Sequence, residues 1–241
     1  MAVTVIRMGL ITMANDMRDA LYCLMSWLSP SYPVGAFSYS QGLETAIAEG
    51  RVATAQDLVL WLEDTAAGGM LWSDAVIFAR AYDAAAHSQW TRLAEIAEFA
   101  LAFQSSAELK QETAAQGDAF LHVTATAWPC HALHRLATAL SVPCPYPVAV
   151  ATAAAGHEIP AGDALAAFVH AAAANLVSAA VRLVPLGQTD GQRVIAALRP
   201  AIQDSASRAR SMPLDGLSTN CLIADIMAMR HETQHTRLFR S

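Results

Sequence analysis

Apolar positions recur at helical spacing along most of the chain. Leu21, Leu24, Met25 and Leu28 follow an i, i+3, i+4, i+7 pattern, which predicts a first helix over residues 17–28. No alternation of apolar and polar residues persists beyond a few positions, so no sheet is predicted. The pattern therefore indicates an all-α fold, a single-domain helical bundle.

Short polar residues, glycines and prolines predict where several of these helices begin or end. The predicted caps and breaks are Thr54 with Asp57, Ser88, Ser105 with Glu108, Thr189 with Gln192, the pair Gly68–Gly69 and, as a kink, Pro200. Between the first two helices, residues 29–42 hold two prolines and two glycines and are predicted to be largely loop.

The chain is unusually apolar for its length of 241 residues. It is 54% hydrophobic and 15% charged, and much of the apolar share is alanine, which favours closely packed helices. Either an apolar core or a surface covered by partners explains this composition. A net charge of −6 and a single lysine, Lys110, argue against nucleic acid as a partner.

The ends of the chain and its longest apolar run bear on location. The N-terminal residues lack the features of a signal peptide, and residues 1–16 are predicted to be a variable or disordered extension. The run from Ala164 to Leu186 is interrupted by His170, Asn175 and Arg182, so a buried core helix is predicted rather than a membrane span. Four scattered cysteines are typical of reduced thiols in a cytoplasmic protein.

Two groups of residues are candidates for metal binding. His231-Glu232-Thr233-Gln234-His235 is a literal HExxH, the pattern of a zinc hydrolase, although no third ligand follows it. Cys130, His131 and His134 have spacings that fit one helical face and are candidates for nickel or zinc. A pattern with three fixed positions arises readily by chance in long helices, and isolated Cys/His groups near a helix start are more often packed or capping residues. No metal site, cofactor or catalytic residue is therefore assigned.

Three other segments concentrate residues that shape loops or contact partners. Residues 29–44, SPSYPVGAFSYSQGLE, and residues 182–192, RLVPLGQTDGQ, combine prolines and glycines with polar and apolar tips. The tail, residues 230–241, mixes arginines with Leu238 and Phe239, which are predicted to be exposed hydrophobic anchors. No phosphate-binding GxxxxGK[ST] loop or GxSxG elbow is present.

The three segments resemble the motif blocks of the UreF family of urease accessory proteins, in the same order. The matched positions are Ser29, Pro30, Pro33, Val34, Gly35, Phe37, Ser38, Ser40, Gly42, Leu43 and Glu44; then Arg182, Leu183, Pro185, Leu186, Gly187, Gln188, Gly191 and Gln192; then residues 229–234 and 237–241. Ala36 stands where the family commonly has glycine, and His235 where it has tyrosine, so the HExxH is a departure within a tail motif.

The resemblance implies a helical homodimer without catalytic activity. Such a protein binds the accessory protein called UreD or UreH, recruits the GTPase UreG, and helps to insert nickel into apo-urease. Residues 17–229 are then the helical domain and residues 230–241 a partner-binding tail. The residues assigned to partner binding are Glu44, Arg182, Arg230, Arg237, Leu238, Phe239 and Arg240, and those assigned to shaping loops are Pro30, Pro33, Gly35, Phe37, Ser38, Pro185, Gly187 and Gln188. Glu44 and Arg182 are also predicted to be able to pair with each other.

Overall fold

A computed structural model describes residues 17–241 of the chain. The predicted N-terminal extension, residues 1–16, lies outside the described residues. Between residues 17 and 241 the protein consists of helices and connecting loops, with no β-strand. The prediction of an all-α fold is therefore confirmed.

The helices follow one another through short connections. They are α1 (17–27), α2 (Leu43–Ala48), α3 (Ala55–Gly68), α4 (Met70–Ala86), α5 (Trp90–Ala102), α6 (Ala107–Ala127), α7 (His131–Ala139), α8 (Tyr146–Gly156), α9 (Ala161–Leu183), α10 (Gln188–Ala197), α11 (Arg199–Ala209) and α12 (Leu222–His231). Two 3₁₀ turns, Ala36–Ser38 and Leu214–Gly216, lie in the loops before α2 and before α12.

The centre of the core is the packing of α8 against α4 and α6. Residues 147–154 of α8 are all buried, so this helix is surrounded by protein on every side. Four of those eight residues are alanine, whose small side chains let neighbouring helices approach closely. The alanine-rich composition thus serves a densely packed interior, with Phe78, Phe120 and Phe168 filling the larger spaces.

Helix α9 is the one described helix that is long and apolar enough to cross a membrane. Half of its apolar window is buried inside the protein, against α4, α10 and α11. This packing agrees with the prediction of a core helix within residues 164–186.

The predicted helix boundaries are only partly confirmed. Thr54 and Asp57 form a reciprocal capping box at the start of α3, and Gly69 separates α3 from α4. The cap of α6 is Ser106 rather than Ser105: the Ser106 hydroxyl accepts the Leu109 N–H at 3.2 Å.

The other predicted caps are wrong. Gln89, not Ser88, precedes α5, and Ser88 has a φ of 55°. Gly187, not Thr189, precedes α10, which begins two residues earlier than predicted. The expected kink at Pro200 is instead a break at Leu198, and Pro200 lies in the first turn of α11, where its missing N–H costs nothing.

The last helix is held close to α2 by a glycine. Gly42 precedes α2 with a φ of 78°, and a Cβ at this position would lie 2.6 Å from the backbone nitrogen of Ala228 in α12. Only glycine allows both the left-handed conformation and this approach. Helices α2, α6 and α12 thereby meet at one place, and the tail starts there.

Candidate functional site

Arg182 joins the three segments that the sequence singled out. Its guanidinium carbon lies 3.6 Å from the ring centroid of Phe37 and 4.4 Å from that of Phe239. The same side chain donates a hydrogen bond from Nη2 to the Phe37 carbonyl at 3.0 Å. The cation is therefore stacked against two aromatic rings, one from the loop before α2 and one from the tail, and it connects both to the end of α9.

Glu44, in the first turn of α2, holds the tail by its backbone. Its carboxylate accepts the Leu238 N–H at 2.6 Å and the Phe239 N–H at 3.0 Å. The side chain is buried, and its Oε2 also lies 3.1 Å from Nε2 of His231. Glu44 therefore binds two backbone N–H groups of the tail and also faces one ring nitrogen of His231.

The predicted pairing of Glu44 with Arg182 is wrong. Glu44 faces His231 and the tail backbone, whereas Arg182 faces two aromatic rings and a carbonyl. The two residues meet through Phe239, because Glu44 binds its N–H and Arg182 stacks on its ring. They fix the same segment from opposite sides.

His231 lies at the centre of a cluster of charged residues. It is fully buried, and its Nδ1 lies 2.6 Å from Oε2 of Glu108 on α6, opposite the contact with Glu44. Arg237 of the tail pairs with the other oxygen of Glu108. Glu44, Glu108, His231 and Arg237 therefore lie together between α2, α6 and α12, with His231 fully buried and Arg237 partly exposed to solvent.

Glu112 lies one turn further along α6 and binds the end of the tail. Its carboxyl accepts hydrogen bonds from Ser241 Oγ at 2.5 Å and from the Nε2 atoms of Gln41 and Gln116, each at 2.9 Å. Gln41 has a φ of 56°, an uncommon conformation for a residue with a side chain. Burial raises the pKa of Glu112 to about 7, because desolvation outweighs these hydrogen bonds.

Asp74 on α4 is the second acid of this region. Burial raises its pKa to about 7, and the neighbouring charge of Glu112 contributes in the same direction. Both residues line a cavity of about 700 Å³, whose other walls are mainly apolar residues of α1, α9 and the loop before α2. The cavity therefore combines an apolar wall with two carboxyls that share a site and resist joint ionisation.

The raised pKa of Glu112 predicts a specific dependence of stability on pH. Its ordinary value is 4.5, so between about pH 4.5 and pH 7 the folded state binds more protons than the unfolded chain. We expect the free energy of unfolding to fall as pH rises through this window. Titration of Glu112 should account for on the order of 3 kcal/mol of this fall across the whole window. Replacing Glu112 with Gln should therefore make the free energy of unfolding depend less steeply on pH.

Urea denaturation of both proteins at several pH values in this window measures the slope. Glu49→Gln, an exchange at an exposed acid that directly follows α2, is the matched control. Equal slopes for the wild type and Glu112→Gln would show that Glu112 titrates as an ordinary surface acid.

The tail is docked on its own chain from end to end. Phe239 is only 3% exposed, so the prediction that it is an exposed anchor is wrong, whereas Leu238 is 69% exposed, as expected. Ser241 is buried, and its carbonyl accepts from both the backbone and the hydroxyl of Ser40. The Arg240 N–H donates to the carbonyl of Ser38 at 2.8 Å. The tail thus presents Leu238 outward while Phe239 is buried.

Of the remaining predicted residues, some lie beside the docked tail and others lie on the surface. Arg230 pairs with Glu49 at 3.0 Å, and Phe37 is 61% exposed although its ring meets Arg182. Gly35 has a φ of 75°, which explains glycine there. The prolines Pro30 and Pro33 are exposed in the first loop. Pro185 and Gly187 are exposed in the turn between α9 and α10, and Gln188 is exposed at the start of α10.

The HExxH does not have the geometry of a zinc site. Helix α12 ends at His231, so His235 does not share a helical face with it. Both ring nitrogens of His231 face carboxylates, and Glu232 accepts the Ala107 N–H at 2.7 Å. Within residues 17–241 no three His, Cys, Asp or Glu side chains are placed to hold a metal ion, including the group Cys130, His131 and His134.

Comparison with known proteins assigns the chain to a family. The UreF family model matches residues 52–199. This chain belongs to the UreF family. A urease accessory protein UreF of Rhodopseudomonas palustris strain BisB5 is 49% identical over 229 residues, 95% of this chain and 94% of that protein. UreF proteins of Bradyrhizobium diazoefficiens and Agrobacterium fabrum are 46% and 47% identical, each over 92% of this chain and over 92% and 96% of their own lengths.

These relatives are named as accessory proteins of an enzyme, urease. Sequence reasoning missed Glu108 and Glu112, which bind the tail, and Gln116, which donates a hydrogen bond to Glu112. Their spacing of four residues places three hydrogen-bonding side chains on one face of α6. That face could have been recognised as one that binds another segment.

Proposed function

We propose that this chain is a non-catalytic scaffold of urease maturation. In this proposal it binds a UreD/UreH-type accessory protein, and the pair recruits a UreG-type GTPase that drives nickel insertion into apo-urease in the cytoplasm. Its membership of the UreF family supports the proposal. The chain has one lysine and no GxxxxGK[ST] loop, so nucleotide hydrolysis is assigned to the partner.

The observation that carries the proposal is the grouping of exposed apolar side chains. Met17, Leu21, Tyr22 and Met25 lie on α1, each more than half exposed. A second group consists of Leu222, Ile223 and Met229 on α12, which the tail with its exposed Leu238 follows along the chain. Large apolar side chains grouped on a surface in this way mark contacts with other proteins.

We assign the second group to the UreD/UreH-type partner. Leu238 is the apolar anchor, and it lies between the exposed arginines Arg237 and Arg240, with Arg230 at the end of α12. Phe239, Glu44 and Arg182 do not contact the partner in this assignment. They hold the tail so that Leu238 points outward, which reduces the entropy cost of binding.

We assign the first group, on α1, to a homodimer of single-domain subunits. The apolar cavity between α1 and α9 opens beside these residues, so a second copy would cover both the helix and the mouth of the cavity. Dimer interfaces are more apolar than other contacts, which agrees with the residues of this surface.

Two substitutions test the two surfaces separately. Leu238→Asp should reduce capture of the UreD/UreH-type protein at least about tenfold, because it removes an apolar anchor, and should leave the dimer intact. Met25→Asp should convert the dimer to a monomer without abolishing partner capture. Light scattering and a pull-down with the co-expressed urease operon proteins measure both properties.

The two variants serve as controls for each other, since each introduces one aspartate on an exposed apolar position. Urease activity in cells is the functional readout, and Leu238→Asp should lower it. Full activation together with unchanged partner capture by Leu238→Asp would remove the tail from the partner interface. A wild-type protein that is monomeric at micromolar concentration would remove the dimer assignment.

A further inference from the structure

The cavity of about 700 Å³ beside α1 combines two kinds of wall. Most of its lining consists of apolar side chains of α1, α9 and the loop before α2, among them Leu21, Leu28 and Ala171. Asp74 of α4 and Glu112 of α6 add two carboxyls to this lining. A cavity of this volume, with apolar walls and few polar groups, is typical of sites that bind small molecules. It can therefore accept an apolar body that carries one polar group.

The Asp74 carboxyl faces this cavity without a hydrogen-bond donor. Among residues 17–241 no group donates to it, and protein covers Asp74 only in part. Desolvation nevertheless raises the pKa of Asp74 to about 7, so the uncovered part of the side chain lies in the cavity and not in bulk solvent. Because a desolvated carboxyl without a donor is costly, the site favours a ligand that brings one.

The groups beside Asp74 indicate that this donor carries a positive charge. Glu112 lies close enough for its negative charge to act on Asp74. Gln41 also lines the cavity, and its Oε1 is buried without a donor while its Nε2 binds Glu112 at 2.9 Å. Within residues 17–241 no lysine or arginine lines the cavity. Two carboxyls and an amide oxygen therefore lie close together, and the lining supplies no cation to balance them.

We propose that this cavity is a binding site for a primary amine that carries an apolar chain. The ammonium group donates to the Asp74 carboxyl and lies beside Glu112, and the chain lies along the apolar wall between α1 and α9. A fatty acid would add a third carboxylate to the two acids, and an alcohol would bring no charge. The lining residues all belong to one chain, so the inference goes beyond the scaffold role and does not depend on a partner.

Binding of the ammonium group should displace a proton from the two acids. Both pKa values are raised to about 7, so the acids are partly protonated at neutral pH, whereas an alkylamine is fully charged there. The affinity should therefore rise several-fold between about pH 6 and pH 8, with protons released to the buffer. Of the other titratable groups, Asp163 and His170 of α9 line the cavity but are exposed, burial raises the pKa of Tyr146, and His231 of α12 lies near Glu112.

Isothermal titration calorimetry of the full chain with octylamine, octanol and octanoate tests the site at about pH 8. We expect one octylamine to bind per chain, at least about tenfold more tightly than octanol or octanoate. Hexylamine should bind about tenfold more weakly than octylamine, because two fewer CH₂ groups are buried. Titrations at about pH 7 in two buffers with different ionisation enthalpies measure the number of protons released.

Asp74→Asn keeps the shape of the side chain and removes its charge. This variant should bind octylamine at least about tenfold more weakly and octanol within about twofold of the wild type. Glu49→Gln, at the exposed acid that follows α2, makes the same change in net charge and should bind both ligands as the wild type does. Ala171→Leu places a larger side chain in the apolar wall and should weaken octylamine and octanol alike.

The three ligands decide the question on the wild-type protein even if a variant does not fold. Octanol bound as tightly as octylamine, or no saturable binding of octylamine, would overturn the proposal. Equal affinity of octylamine for the wild type and Asp74→Asn would do the same, and binding unchanged by Ala171→Leu would place the amine outside the cavity. Nickel chloride should not displace octylamine, and displacement would assign the acids to a metal ion instead.

Discussion

Replacing Glu44 with Ala should lower the free energy of unfolding by about 3–5 kcal/mol, because it removes a buried carboxyl that contacts two backbone N–H groups and His231 and leaves these groups without that partner. His231 would face one carboxylate in place of two, and the N–H groups of Leu238 and Phe239 would lose their acceptor. For a chain of this size the loss corresponds to a fall in Tm of roughly 10 °C. The tail should also become cleavable after Arg237.

Glu49→Ala is the matched control, since Glu49 follows the same helix and pairs with Arg51 and Arg230 at the surface. Exposed pairs contribute about 0–1 kcal/mol, so this variant should melt close to the wild type. The stability of the Glu44→Gln protein should lie between those of Glu44→Ala and Glu49→Ala, because the amide keeps one oxygen that can accept from the tail. A Glu44→Ala protein as stable as Glu49→Ala, with a protected tail, would contradict the assigned role of Glu44.

The sequence predicted the helices well because their apolar spacing is a local property. Thr54 was identified as a cap because one hydroxyl and one acid stand at the required spacing. At Ser105–Ser106 two adjacent serines could serve, and local pattern does not choose between them. At residues 187–189 the helix starts at an exposed glycine turn that no side chain caps. The errors therefore arise where neighbouring residues offer equivalent local solutions.

The site was predicted as a set of segments rather than as a set of contacts. The motif blocks marked the loop before α2, the end of α9 and the tail, and these three segments meet at Arg182. The pairing of Glu44 with Arg182 was wrong because charge alone selected it, while the fold placed His231 and two backbone N–H groups nearer to the acid. The role of Glu108 depends on a contact 123 residues away along the chain, which local patterns do not encode.

The burial of Phe239 changes the interpretation of the tail. An exposed tail would have been removable without loss of stability, whereas Phe239 and Ser241 are buried and are bound by Glu44 and Glu112. Partner binding and tail docking are consequently coupled: variants that release the tail should weaken both stability and partner capture. Leu238→Asp separates the two effects, because its side chain is exposed and its backbone contact with Glu44 is retained.

The second large effect is expected at Gly42, where the close approach of α2 to α12 depends on the absence of a side chain. A Cβ at this position would lie 2.6 Å from Ala228 N and 2.8 Å from its Cα, both backbone atoms that cannot rotate away. Gly42→Ala should therefore displace α12, which ends at His231. Overpacking of this kind costs about 1–3 kcal/mol, in addition to about 1 kcal/mol for alanine in the left-handed conformation.

Gly50→Ala separates these two costs. Gly50 has a φ of 73°, close to the 78° of Gly42, but nothing lies within 4 Å of the Cβ that alanine would add. The free energy of unfolding of the Gly50→Ala protein should fall only by the cost of the left-handed conformation, about 1 kcal/mol. Urea denaturation of both variants gives the difference, and trypsin cleavage after Arg237 should increase in Gly42→Ala alone, because displacement of α12 moves His231 away from Glu44. Equal stabilities with equally protected tails would mean that α12 tolerates a methyl group at this contact, and that the position of His231 does not depend on Gly42.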